Sequence, residues 1–195
     1  MSENTGTKYA DIEIQMRTWI ARFVVGLNLC PFARQPVENG QVKIVVSDAR
    51  NNEALLEELQ SQLSWLDAQP PAATETTLIV IPEMLGDFLD YNDFLDLADA
   101  LLEEFGWTGQ FQFASFHPDY QFAGTLPGDA ENYTNRAPWP TLQLLREDSL
   151  EAVLANYPEP EQIPEKNIAA MEQLGSARLA DMLRDCRNMT CREPH

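Results

Sequence analysis

Not one Lys or Arg lies between Arg50 and Arg136. The same 85 positions carry 16 Asp and Glu, so this stretch accounts for −16 of the net −18 that 13 basic and 31 acidic residues give the 195-residue chain. A surface so short of cations lacks what holds a nucleic-acid backbone or an anionic membrane, and both are excluded as partners. Cysteine is scarce too. Cys30, Cys186 and Cys191 are an odd number without a CxxC pair, which is not a secreted disulfide framework, and a reducing cytoplasm is the expected compartment. No apolar run approaches the roughly 18 residues that cross a bilayer. The start, Met1 to Lys8, lacks the basic-then-apolar order of a signal peptide and is expected to be a flexible lead-in over 1–8. The triplets Asn132-Tyr-Thr134 and Asn188-Met-Thr190 would accept sugar only after secretion and are read as chance. GxGxxG, Walker, GxSxG and HExxH patterns are all missing, which leaves nucleotide, serine-hydrolase and zincin chemistry without support.

What is present is ordinary globular material, 44% apolar and 23% charged, at a length suited to a single domain spanning 1–195. Apolar residues at spacings of three and four (Ile12, Met16, Trp19, Ile20, Phe23, Val24, Leu27) predict a helix over 9–29 that stops before Pro31. Short β-branched or aromatic runs predict strands over 42–46, 78–81, 111–116 and 141–146. Helices fall between them, one on Leu55, Leu59, Leu63 and Leu66, one on Phe94, Leu95, Ala98, Leu101, Leu102 and Phe105 that stops at Gly106. A short helix starts at Asp148 with Glu151 as a capping box, and a last one runs from Pro164 with Ile168, Met171, Leu174, Leu179, Met182 and Leu183 inward. The tail from 187 to 195 is expected to be ragged and flexible, with His195 frayed. This order predicts an α/β fold, a small and mostly parallel sheet of about four strands flanked by about five helices.

The densest acid run, Asp87, Asp90, Asp93, Asp96, Asp99, Glu103 and Glu104, recurs about every third residue and falls on one side of a helix. It reads as a solvated face, with a docking surface for a basic partner or a weak divalent-cation site as the functional alternatives; the glycine and DxDxDG order of a calcium loop are missing.

From His117 to Pro140 the chain has no period, four prolines and two glycines. Unstructured segments this long inside compact domains are often functional, and this one leaves the carboxyl end of a strand, where open α/β sheets bind ligands. His117 is the one internal imidazole, a candidate acid or base, with Asp119 placed to orient its ring; the bland reading is a half-buried histidine bonded to backbone. Arg136 and Arg146 are the only cations from 51 to 165. Arg136 is either an anion clamp or a salt-bridge hub, whereas Arg146 is expected to pair with Glu147 and Asp148. Asn132, Tyr133, Asn135, Tyr120 and Trp139 complete a candidate pocket for a small molecule. Cys30 follows a helix carboxyl terminus, where the dipole disfavours a thiolate, so it is read as structural unless folding brings His117 or Arg136 beside it. Cys186 and Cys191, at C-x4-C spacing among Arg184, Arg187 and Arg192, are a weak metal signal without further ligands and are read instead as part of a ragged basic tail.

The blocks Gly26-Leu-Asn-Leu-Cys-Pro-Phe-Ala33, Ser115-Phe-His-Pro-Asp-Tyr-Gln-Phe122, Asn132-Tyr-Thr-Asn-Arg-Ala-Pro138, Leu142-Gln-Leu-Leu-Arg-Glu147 and Ile163-Pro-Glu-Lys-Asn167 resemble the bacterial domain-of-unknown-function family numbered 1415. The resemblance implies a one-domain bacterial cytosolic protein and carries no cofactor, reaction or catalytic residue with it. Three functional expectations therefore rest on the residues. The first is an enzyme for a small polar or anionic metabolite, with His117 as acid or base, Asp119 as orienter, Arg136 as clamp and Cys30 as pocket wall or nucleophile. The second is an iron or zinc site built from His117, Asp119 and Cys30. The third is a non-enzymatic acidic interaction module.

Overall fold

The computed structural model describes residues 2–191, with side chains from residue 6 onward. Its strands are β1 (Val42–Val46), β2 (Thr76–Val80), β3 (Phe111–Phe116) and β4 (Thr141–Arg146), joined in the order β1-β2-β4-β3. The α/β class holds, but the sheet is mixed rather than mostly parallel. Only β1 and β2 pair in parallel, and β4 runs antiparallel to both β2 and β3. The cause lies in the connections. Helical crossovers return the chain to the opposite end of the sheet before β2 and before β3, whereas the 117–140 segment brings it back at the edge it left, so β4 must run the other way. The carboxyl ends of β1, β2 and β3 and the amino end of β4 therefore share one edge.

Seven α-helices are described instead of about five: α1 (Ser2–Trp19), α2 (Arg34–Glu38), α3 (Asn52–Asp67), α4 (Phe88–Glu104), α5 (Glu147–Leu154), α6 (Ile163–Leu174) and α7 (Ser176–Arg187). The predicted helix over 9–29 begins earlier, widens into a π-helical turn over Ile20–Val25, and ends at Asn28, whose φ of +55° turns the chain before Pro31 is reached. The predicted last helix is two helices, broken at Gly175 (φ +78°), and Ile168 consequently points outward while Met171 and Leu179 are buried. The capping box at Asp148 does not form, because α5 starts one residue earlier, at Glu147, with Arg146 at its N-cap and no side-chain cap. Gly106 does end α4: at φ +72° it donates to the Glu103 carbonyl while Trp107 donates to that of Leu102, the reciprocal pair of a Schellman motif.

Alternation along the strands divides the core. Ile79, Ile81, Leu142 and Leu144 pack under α3 and α4, with Leu55, Leu59, Leu63, Tyr91, Phe94 and Ala98. Leu78, Val80 and Phe116 meet α1, the π turn, α6 and α7 on the other face, with Met16, Trp19, Phe23, Met171 and Leu179. The carboxylates of Asp90, Asp93, Asp96 and Glu103 lie on the exposed side of α4, and Phe105, expected on the apolar side, is exposed. The carboxyl-terminal segment is docked as far as Cys191, whose N–H donates to Asp11, while the Met189 carbonyl accepts from Gln15. His195 lies outside the described residues. No described helix is long and apolar enough to cross a membrane.

Candidate functional site

The segment 117–140 is organised by its own polar residues. His117 is fully buried against Phe88 and Tyr91. Its Nδ1 accepts the Asp119 backbone N–H at 3.0 Å, so the ring proton sits on Nε2, which donates to the Leu85 carbonyl at 3.1 Å. Burial pushes its pKa below the ordinary 6.5, against the opposing pull of the Leu85 carbonyl and of the Asp119 and Asp87 carboxylates. The ring is thus a neutral tie between two loops, oriented by the Asp119 backbone in place of the expected carboxylate. Asn132, also fully buried, accepts from Phe122 N–H at 3.0 Å and Thr125 Oγ1 at 2.8 Å and donates to the Leu126 carbonyl at 2.8 Å. Arg136 places its guanidinium 4.6 Å from the Tyr133 ring and donates to the carbonyls of Tyr120 at 3.1 Å and Pro127 at 2.8 Å.

The remaining candidates are tied in the same way. The Tyr120 ring packs between Phe88 and Phe122. Trp139 donates to Gln15 at 2.7 Å and lies under Arg187. Arg146 does not pair with Glu147 or Asp148; its side chain turns to the α3 face and donates to the carbonyls of Leu66 at 2.6 Å and Gln69 at 2.7 Å, capping the end of that helix. Among the described residues no group of three or more His, Cys, Asp or Glu is placed to hold a metal, which removes the expected iron or zinc site.

A cleft of about 620 Å³ opens instead over the half of the second sheet face that α1, α6 and α7 leave uncovered. Its floor is Leu78, Gln143 and Ala114, which stand side by side across β2, β4 and β3. Trp19 at the end of α1, Ile20 and Val24 of the π turn, the Cys30–Ala33 turn and α2 form one wall; Ser149, Leu150 and Val153 of α5 form the other. The walls meet where Phe32 packs edge-on to Tyr157, 5.2 Å between centroids. Thr134, Asn135, Asn167, Gln41 and Glu75 add polar groups to the lining. The expected convergence of Cys30, His117 and Arg136 on one cavity does not occur: Cys30 lines the cleft, His117 and Arg136 do not, and of the loop candidates only Asn135 does. Burial raises the Cys30 pKa, which keeps the sulfur a thiol beside the Phe32 and Ala33 N–H groups.

Gln143, Thr134 and Asn167 escaped sequence reading. A usable signal existed for the first, since alternation over Thr141–Arg146 puts Leu142 and Leu144 on one face and a Gln on the other, a polar side chain where a central strand buries apolar ones. Each of the five segments that carry the family resemblance supplies part of the lining: Cys30, Phe116, Asn135, Gln143 and Asn167 come one from each.

No curated protein and no solved structure matches the chain. Over residues 11–181 it matches the family described as protein of unknown function, DUF1415, and to that family it belongs.

Proposed function

We propose that this protein binds a small, largely apolar molecule in the cleft between the π turn, α2 and α5. The observation that carries the reading is the cleft itself: about 620 Å³, within the range of ligand sites, mostly apolar, with a few polar side chains set into the lining. The loop residues first expected to meet a ligand support the pocket from behind, because His117 N–H holds the Asn135 carbonyl at 3.2 Å and Trp19 Nε1 holds that of Arg136 at 2.9 Å. Arg136 has its Nε and Nη2 on backbone carbonyls and does not line the cleft, so the anionic metabolite gives way to a largely apolar molecule. Free cysteines at 30, 186 and 191 support a reducing compartment, and the net −18 supports excluding nucleic acid.

The test is a fragment screen by NMR on the full chain, repeated with Ala114→Trp, which fills the floor. Hits are expected to shift the resonances of Gln143, Ala114, Cys30 and Asn135 and to vanish in the variant. Hits that map to 117–128, or that survive Ala114→Trp with the fold intact, overturn the reading.

A further inference from the structure

We propose, on the strength of the cleft reading, that its ligand is an amphipathic amine: an apolar body with a hydrogen-bond-donating, cationic head, and not an anion. Five side-chain amides line the cleft. Gln35 is exposed on α2, and Gln41 is used up on both sides, its Nε2 donating to the carbonyls of Pro71 and Ala72 and its Oε1 accepting from Asn39. The other three each have their nitrogen tied to the protein and their oxygen left over. Asn135 Nδ2 donates to the Ser115 carbonyl at 3.1 Å, Asn167 Nδ2 to the Leu29 carbonyl at 2.9 Å, and Gln143 Nε2 to Thr76 Oγ1 at 3.0 Å. Carbonyl oxygens only accept, so neither asparagine can be turned round. Thr76 spends its single proton on the Leu144 carbonyl at 2.6 Å, so its oxygen can only accept from Gln143. The chemistry of the partners therefore sets all three amide orientations. Each amide keeps an oxygen without a partner among the described residues, and none of these oxygens is among the buried unpaired atoms, so all three are open to solvent.

Charge points the same way. The ionisable side chains lining the cleft are Cys30, Glu75 and Arg146. Arg146 has its guanidinium on the far face, bonded to the carbonyls of Leu66 and Gln69, and the Cys30 thiol is held protonated. Glu75 makes no ion pair among the described residues, so the cleft holds one uncompensated carboxylate and no free cation. Thr134 adds a buried hydroxyl with no partner among the described residues, able to accept as well as donate. An anion would face the oxygens of Gln143, Asn135 and Asn167 and a carboxylate, with only the Gln35 amide, the Thr134 and Ser149 hydroxyls and the Cys30 thiol left among the lining side chains to donate; an ammonium finds three amide oxygens and a counter-charge at the end where β1 and β2 begin, while the apolar floor and walls take the rest of the molecule.

The experiment is a calorimetric and NMR titration of the full chain with three matched probes: tryptamine, uncharged 3-ethylindole and indole-3-propionate. Tryptamine is expected to bind at least ten-fold more tightly than the propionate and to shift the resonances of Gln143 and Asn135. Glu75→Gln, at a half-buried position away from the core, should cut that preference several-fold. Gln143→Leu should bring tryptamine to the level of 3-ethylindole. Equal or tighter binding of the propionate, or a preference that survives Glu75→Gln and Gln143→Leu together, overturns the amine assignment while leaving the cleft reading in place. Failure of all three probes overturns the amine assignment, and the fragment screen then decides the cleft reading independently.

Discussion

Leu85, held at a left-handed φ of +56°, offers its carbonyl to Nε2 of His117 at 3.1 Å. A non-glycine residue in that region costs about 1 kcal/mol or more and persists only where its surroundings over-determine it. Here they are a buried imidazole also bonded to Asp119 N–H. His117→Ala leaves both backbone groups unpaired and opens a cavity beside Phe88 and Tyr91. It is expected to destabilise the protein by about 3 kcal/mol. Urea denaturation checks this, and a variant as stable as the parent would refute the structural role.

The same enclosure sets a pH dependence. His117 is neutral in the fold and its pKa lies below the 6.5 it regains on unfolding. The unfolded chain therefore binds the proton more readily. The stability held above pH 6.5 falls as the pH drops through that value and levels off below the folded pKa. The expected signature is a slope in unfolding free energy between pH 7.5 and 5.5 that is absent in His117→Asn.

Gly26 closes the π turn at φ −67°, where alanine is ordinarily the better residue. At this position a Cβ would stand 2.5 Å from the Arg22 carbonyl oxygen and 2.8 Å from that of Ala21. Gly26→Ala should therefore cost about 1–3 kcal/mol in place of the usual small gain. Because the turn carries Ile20 and Val24 into the cleft wall, probe binding should fall with it. Denaturation and the titration above, run on one variant, measure both.

Arg136 joins two carbonyls and an aromatic ring within one loop. Lysine retains the charge but cannot reach the Tyr120 and Pro127 oxygens with a planar fork. Arg136→Lys is expected to lose about 2 kcal/mol and to speed amide exchange across 119–128. Unchanged exchange there would show that the loop is held by Asn132 alone.

The thiols should separate by exposure. Cys191 is exposed, Cys30 half-buried in the cleft wall and Cys186 fully buried. Reaction with a small disulfide reagent is expected in that order, Cys186 reacting only on unfolding, and tryptamine should slow Cys30 selectively. Equal protection of Cys191 would place the probe elsewhere.

Much of the frame was readable from local pattern. The four strands, the helices built on Leu55–Leu66 and Phe94–Leu102 and the stop at Gly106 follow from spacings of two, three and four and from a glycine's access to positive φ, which act over a few residues. The same is true of the exposed acidic side of α4. Strand direction was not readable, because it depends on which edge the 117–140 segment returns to. Nor was the role of that segment, since a polar side chain that binds a ligand and one that binds backbone look alike until the backbone is in place. His117, Asn132 and Arg136 proved to be inward ties, and Gln143, Thr134, Asn135 and Asn167 came together from strand, loop and helix. Composition and periodicity determined which faces are apolar, and only the tertiary structure decided which half of one such face stays uncovered. Covering a face is a contest between helices distant in sequence, and α1, α6 and α7 together leave the floor around Ala114 and Gln143 open.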